Sequence, residues 1–100
     1  MRLRLSKTAR LDLEEAWLYI AGESGPARAE SVLEEIQATF ALLLQYPEAG
    51  RERAEFWKGL RSLPASSYVV YYEVGTETLN VVRVLHGARD AEAELRGGAE

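Results

Sequence analysis

Ala9, Leu13, Ala16, Trp17 and Ile20 follow one another at steps of four, three, one and three. That spacing lines one face of a helix and leaves Arg10, Glu14 and Glu15 outside the stripe. Ahead of it, Arg2 to Leu5 alternates charge with leucine, the pattern of a short edge strand. Ser6 or Thr8 stands where a hydroxyl caps the helix start. Gly22 to Pro26 interrupts the period, and Pro26 suits the first turn of a second helix. There Ala29, Val32, Leu33, Ile36, Phe40 and Leu43 make the next stripe, which must end before Pro47. Two amphipathic helices on a short connection predict an antiparallel hairpin.

Beyond Pro47-Glu48-Ala49-Gly50, a turn, the period shortens. Phe56 to Leu63 reads as a weakly extended segment, and Tyr68 to Val74 as a strand rich in β-branched and aromatic residues. Gly75 to Thr78 is a hairpin loop, and Leu79 to Leu85 is the next strand. Asp90 to Leu95 makes a last helical turn before Gly97 and Gly98 fray. Short connections favour antiparallel pairing. The expected fold is α+β: an N-terminal helix hairpin packed on one face of a curved antiparallel sheet of about four strands.

One hundred residues, 28% charged and 47% hydrophobic, predict one soluble globular domain spanning 1–100. No apolar run approaches the roughly 20 residues of a membrane span, and Met1 to Ser6 has no signal-peptide core, so the expected compartment is the cytoplasm. The chain has no cysteine and one histidine, which removes disulfides and thiolate zinc sites and leaves no metal or cofactor to expect. A net charge of −4 argues against coating nucleic acid by bulk electrostatics. The charge is nevertheless regional: Arg51, Arg53, Lys58 and Arg61 cluster mid-chain, while acids crowd the helices and the C-terminal end.

The stretch from Arg83 to Asp90 carries the strongest chemical signal. An unpaired buried guanidinium is costly, so Arg83, inside an apolar run, must reach water or a carboxylate. Glu73 on the neighbouring strand is the candidate partner. Strand alternation puts Val82 and Val84 on one face, and Val81, Arg83 and Leu85 on the other. With the valines on the helices, Arg83 would stand on the open face, joined there by Arg61 in a suitable register. His86, ending the strand beside Gly87, reads either as a turn residue or as a proton-transfer group. Arg89 either pairs locally with Asp90 or serves a site. Leu11 and Leu18, one heptad apart and off the main stripe, are a partner patch or the stripe's edge. Glu14-Glu15 and Glu34-Glu35 read as solvated helix surface.

Four stretches in order, Lys7–Ile20, Tyr46–Pro64, Tyr68–Val74 and Val81–Asp90, resemble the ParE/RelE family of small bacterial toxins from type II toxin–antitoxin modules. Pro-Glu-x-Gly-Arg followed by Gly-Leu-Arg, and Arg-Val-Leu-His-Gly-x-Arg-Asp, look more like the ParE branch. The resemblance implies a toxin that binds DNA gyrase and needs a docking surface but no active site. It also implies neutralisation by a cognate ParD-like antitoxin, whose acidic segment would suit Arg51, Arg53, Lys58 and Arg61, with Arg83 and Arg89 completing the binding set. The alternative branch, RelE-like cleavage of ribosome-bound mRNA, would assign catalysis to Arg61, Arg83, His86 and Arg89. Against it, the arginine that such toxins carry after the third-strand tyrosine is Val69 here, and the late tyrosine is Leu95. A third reading keeps the toxin fold without toxicity.

Overall fold

The computed structural model describes residues 1–98. Its elements are β1 (Arg2–Leu5), α1 (Lys7–Ser24), α2 (Pro26–Gln45), β2 (Arg51–Glu52), β3 (Leu60–Ala65), β4 (Tyr68–Val74), β5 (Thr78–His86) and α3 (Ala91–Gly98). The expected α+β layering is present. The sheet, however, has five strands in the order β1-β5-β4-β3-β2 and is mixed, because β1 runs parallel to β5. The helix hairpin carries the chain across the sheet, so the first strand returns beside the last. The weakly extended segment expected from Phe56 shortens to a strand beginning at Leu60. Phe56 and Trp57 lie instead in a turn.

Ser6 starts α1. Its hydroxyl accepts the Ala9 N–H at 2.9 Å, the usual N-cap bond, and donates to the Val82 carbonyl at 2.8 Å. One side chain thus ties the helix start to β5. Gly25, at φ 93°, separates the helices, and Pro26 opens the second as its position suggested. The stripes bury largely as expected: Ala9 and Ala16 from α1, and Val32, Ile36, Phe40 and Leu43 from α2, pack on Val70, Tyr72, Leu79, Val81 and Val84, while Trp17 and Leu33 stay half-buried outside this core. A two-residue turn, Ser66-Ser67, joins β3 to β4, with Ser66 at φ 60°. Pro64 sits on β3 beyond the end of short β2, where no neighbouring strand needs its missing N–H.

The strand faces differ from simple alternation. Tyr71 pairs with Arg83 and Tyr72 with Val81, so Val82 is an extra residue, a β-bulge. The bulge reverses the parity of β5. Val81 and Val84 therefore share the helix-covered face, while Val82 and Leu85 turn to the other side. That second side is also partly covered. Leu60, Tyr71, Val82 and Leu85 pack with Leu95 of α3 and with Phe56, Trp57, Val69 and Ala91. The last helical turn expected at Asp90–Leu95 is thus a longer helix, running through Gly98 and sealing a second small core.

Candidate functional site

β1 ends at Leu5, opposite Val81, and Ser6 makes the last backbone bond to β5 through Val81. Past that point the edge of β5 would be open. Asp12, one helical turn past Ala9 on the buried side of α1, closes it. Its Oδ2 accepts the Val84 N–H at 2.9 Å and Arg83 Nε at 2.7 Å, while Oδ1 accepts Arg83 Nη2 at 2.9 Å. Arg83 then reaches to α3, donating from Nη1 to the Glu94 carbonyl at 2.9 Å and lying 3.4 Å from the Glu94 carboxylate. Both side chains of the principal pair are buried, with exposures of 8% and 7%. The bidentate bonds to Asp12 and its negative charge hold the Arg83 guanidinium even more firmly protonated than usual, against the opposing effect of burial. Glu73, the partner expected from sequence, instead accepts the Trp57 indole N–H at 2.6 Å. Arg83 is therefore a buried structural tie and offers no docking surface, because α1, β5 and α3 enclose it.

Arg61 does not join it. Arg61 pairs with Tyr72, whose ring lies in the helix-side core, whereas Arg83 pairs with Tyr71 on the opposite face. The expected cluster of both arginines on one uncovered face is overturned. Arg61 instead donates to the Gly50 carbonyl at 2.7 Å and the Glu48 carbonyl at 3.2 Å, beside Glu52 at 3.5 Å. The Tyr72 hydroxyl accepts the Gly50 N–H at 2.8 Å and donates to the Pro47 carbonyl at 2.7 Å. Together they pin the turn from Pro47 to Gly50 against the sheet. Burial raises the Tyr72 hydroxyl pKa, partly offset by the Gly50 bond. The Pro-Glu-x-Gly-Arg motif is thus a clamped turn. A Cβ on Gly50 would lie 2.5 Å from the Tyr72 oxygen and 2.9 Å from the Ser62 carbonyl, so only glycine fits.

The remaining members of the basic group separate as well. Arg53 stacks over Phe56 and Tyr71, at 4.9 and 5.7 Å from the ring centroids, and bonds Ser62 at 3.0 Å and Glu55 at 2.8 Å. Its bond holds the Glu55 carboxyl below the usual range. Arg51 is open, with 73% of its side chain exposed and Glu55 only distantly paired at 3.9 Å. Lys58 is exposed too.

His86 and Arg89 do come together, at the far end of β5. Asp12, Glu15, Ala16 and Tyr19 of α1, with Tyr68, Val84 and the turn after His86, surround an open groove of about 550 Å³. His86 Nδ1 accepts the Ala88 N–H at 3.1 Å, so a neutral ring carries its proton on Nε2. The ring meets Tyr68 edge-on at 5.2 Å. Burial, with Tyr19 nearby, raises the Tyr68 hydroxyl pKa. Arg89 pairs at 2.7 Å with Glu94, not with the adjacent Asp90. The groove holds aromatic walls and one histidine, while Arg61 and Arg83 lie outside it.

Asp12 was missed by sequence reasoning, although a signal existed. It lies three residues after Ala9 and four before Ala16, so a carboxylate interrupts the buried stripe of α1. A charged residue there calls for a partner of opposite sign, and the arginine within the β5 apolar run is that partner.

The family model for the ParE toxin of the type II toxin–antitoxin system parDE matches residues 3–91. Toxin ParE1 of Mycobacterium tuberculosis is 37% identical over 95 residues, covering 94% of this chain and 97% of that protein. Toxin ParE1 of Caulobacter vibrioides is 34% identical over 92 residues, with 92% and 95% covered. Among solved structures, a chromosomal ParDE system from P. aeruginosa superposes with a TM-score of 0.75 at 20% identity, over 86% of this chain and 95% of that one. The RelBE2 toxin–antitoxin complex of Mycobacterium tuberculosis gives 0.59 at 25% identity, over 85% and 95%.

Proposed function

Because the chain belongs to the ParE toxin family of type II toxin–antitoxin systems, we propose that it arrests growth by binding a protein, DNA gyrase, and is held inactive by a ParD-like antitoxin. The observation that supports binding over RNA cleavage is the dispersal of the four residues a RelE-like mechanism would need. In-line attack by a 2′-hydroxyl requires a proton acceptor and cations converging on one phosphate. Arg83 is closed in by Asp12 and Glu94, and Arg61 by the backbone of Glu48 and Gly50. They stand on opposite faces of the sheet, and the groove that holds His86 and Arg89 includes neither. A docking toxin needs no such convergence, and it acts in the cytoplasm, where gyrase works.

Supercoiling and DNA-cleavage assays with purified gyrase test the target. The expected result is dose-dependent inhibition that the antitoxin reverses. Unaffected supercoiling at high molar excess, together with transcripts cut on the ribosome after induction, would transfer the protein to the ribonuclease branch. Growth unaffected by expression without antitoxin would instead favour a toxin fold that has lost its toxicity.

A further inference from the structure

Among the described residues, the outward face of α1 exposes more large apolar side chains than any other helix. Leu11 is 48% exposed, Leu18 67% and Tyr19 61%, on a helix whose opposite side fills the core. Leu11 and Leu18 are seven residues apart, two turns and about 10 Å along the axis, so both project the same way. Glu14 and Glu15 lie between them, exposed and in no salt bridge among the described residues. Tyr19 extends the strip to the groove, where the charged groups are already matched in pairs, Asp12 by Arg83 and Arg89 by Glu94, except Glu15. The strip therefore combines apolar anchors a heptad apart with two exposed carboxylates that form no salt bridge among the described residues.

We propose that this strip receives a helix of the antitoxin, apolar at two positions about one heptad apart and basic between them. The basic side chains would meet Glu14 and Glu15, and one would enter the groove beside Tyr19 and Tyr68. The proposal rests on the antitoxin partnership advanced above and specifies the surface and the chemistry of the contact. It reverses the charge match that the sequence suggested. The mid-chain arginines that an acidic segment was expected to meet are half spent internally, Arg53 on Phe56, Ser62 and Glu55, and Arg61 on the Pro47–Gly50 turn. A second copy of the chain does not fit the strip. Helices pairing face to face about a two-fold axis between Leu11 and Leu18 would bring four carboxylates together, which is repulsive.

The test is co-expression of the full chain with the product of the reading frame beside its own, followed by titration of the purified partners. Glu14→Lys/Glu15→Lys and Leu18→Glu change only exposed side chains, and circular dichroism checks that each variant is folded. Glu34→Lys/Glu35→Lys, on exposed α2 positions without flanking exposed leucines, is the control. The expected result is a wild-type complex that weakens as salt rises, a loss of at least about tenfold in affinity for each α1 variant, and a control within about twofold. Wild-type binding with both α1 variants unchanged would overturn the strip while leaving the partnership intact. Absence of any wild-type complex would overturn the partnership and the strip together.

Discussion

Arg83→Met removes the guanidinium and keeps most of the aliphatic stem. Asp12 is then left as a buried carboxylate with a single donor, the Val84 N–H. Two bonds to Asp12, at 2.7 and 2.9 Å, and one to the Glu94 carbonyl vanish at once. Breaking one side of such a buried pair costs about 3–5 kcal/mol, chiefly because the surviving charge is uncompensated. In a chain of this length a loss of about 4 kcal/mol lowers Tm by roughly 15–30 °C. Asp12→Leu should cost a similar amount by stranding Arg83. The double variant Asp12→Leu/Arg83→Met leaves no buried charge and orphans only the Val84 N–H and the Glu94 carbonyl. It should therefore lose about 1–3 kcal/mol, far less than the two singles together. Urea unfolding followed by circular dichroism gives all four corners of the cycle. A single substitution costing under about 1 kcal/mol, or a double variant equal to the sum of the singles, would refute the view that this pair ties α1, β5 and α3 together.

Three further substitutions examine the clamped turn and the helix start. Gly50→Ala should destabilise by about 1–3 kcal/mol in thermal melts, because the added Cβ meets the Tyr72 ring and the Ser62 backbone with no room to move. Tyr72→Phe should cost about 1–3 kcal/mol by leaving the buried Gly50 N–H without a partner. It should also flatten the alkaline stability profile. Burial raises the Tyr72 pKa, so the folded state keeps a proton that the unfolded chain releases near pH 10, and stability falls as pH rises beyond that point. Tyr68 shifts in the same direction and contributes to the slope that remains. Ser6→Ala should cost about 1–2 kcal/mol, since one hydroxyl both caps α1 and satisfies the Val82 carbonyl; urea midpoints read this directly.

What the chain disclosed beforehand follows from how local each determinant is. The helix stripes and the Pro26 start are written within a few turns of sequence, so the hairpin could be read. Parity along β5 could not, because Val81, Val82, Val84 and Leu85 are apolar on either face and the bulge at Val82 leaves no mark in the sequence. That single extra residue moved Val82 to the outer face and Val81 to the helix-covered one, while Val84, Arg83 and Leu85 kept the sides that alternation assigned them. The parallel pairing of β1 joins residues 76 positions apart, beyond any short-range signal. Arg61 was legible in part. It alternates with Leu63, and a leucine packed against the helix core implies that Arg61 shares the covered side. The partner of Arg83 required noticing two anomalies at once, an acid in an apolar helix stripe and a base in an apolar strand, 71 residues apart.

These corrections change where a partner can grip. A sheet with one bare face would invite docking on its flat surface, with arginines as handles. Here the helices cover one side, and α3 with Phe56 and Trp57 covers much of the other. A partner seeking the sheet's apolar residues would first have to displace Leu95, and with it the bonds from Arg83 and Arg89 to Glu94. The outer strip of α1 presents leucines and a tyrosine that need no displacement at all. Apolar surface already in water gives binding energy without an opening cost, so affinity should concentrate on α1 and its groove while Arg83 serves the fold.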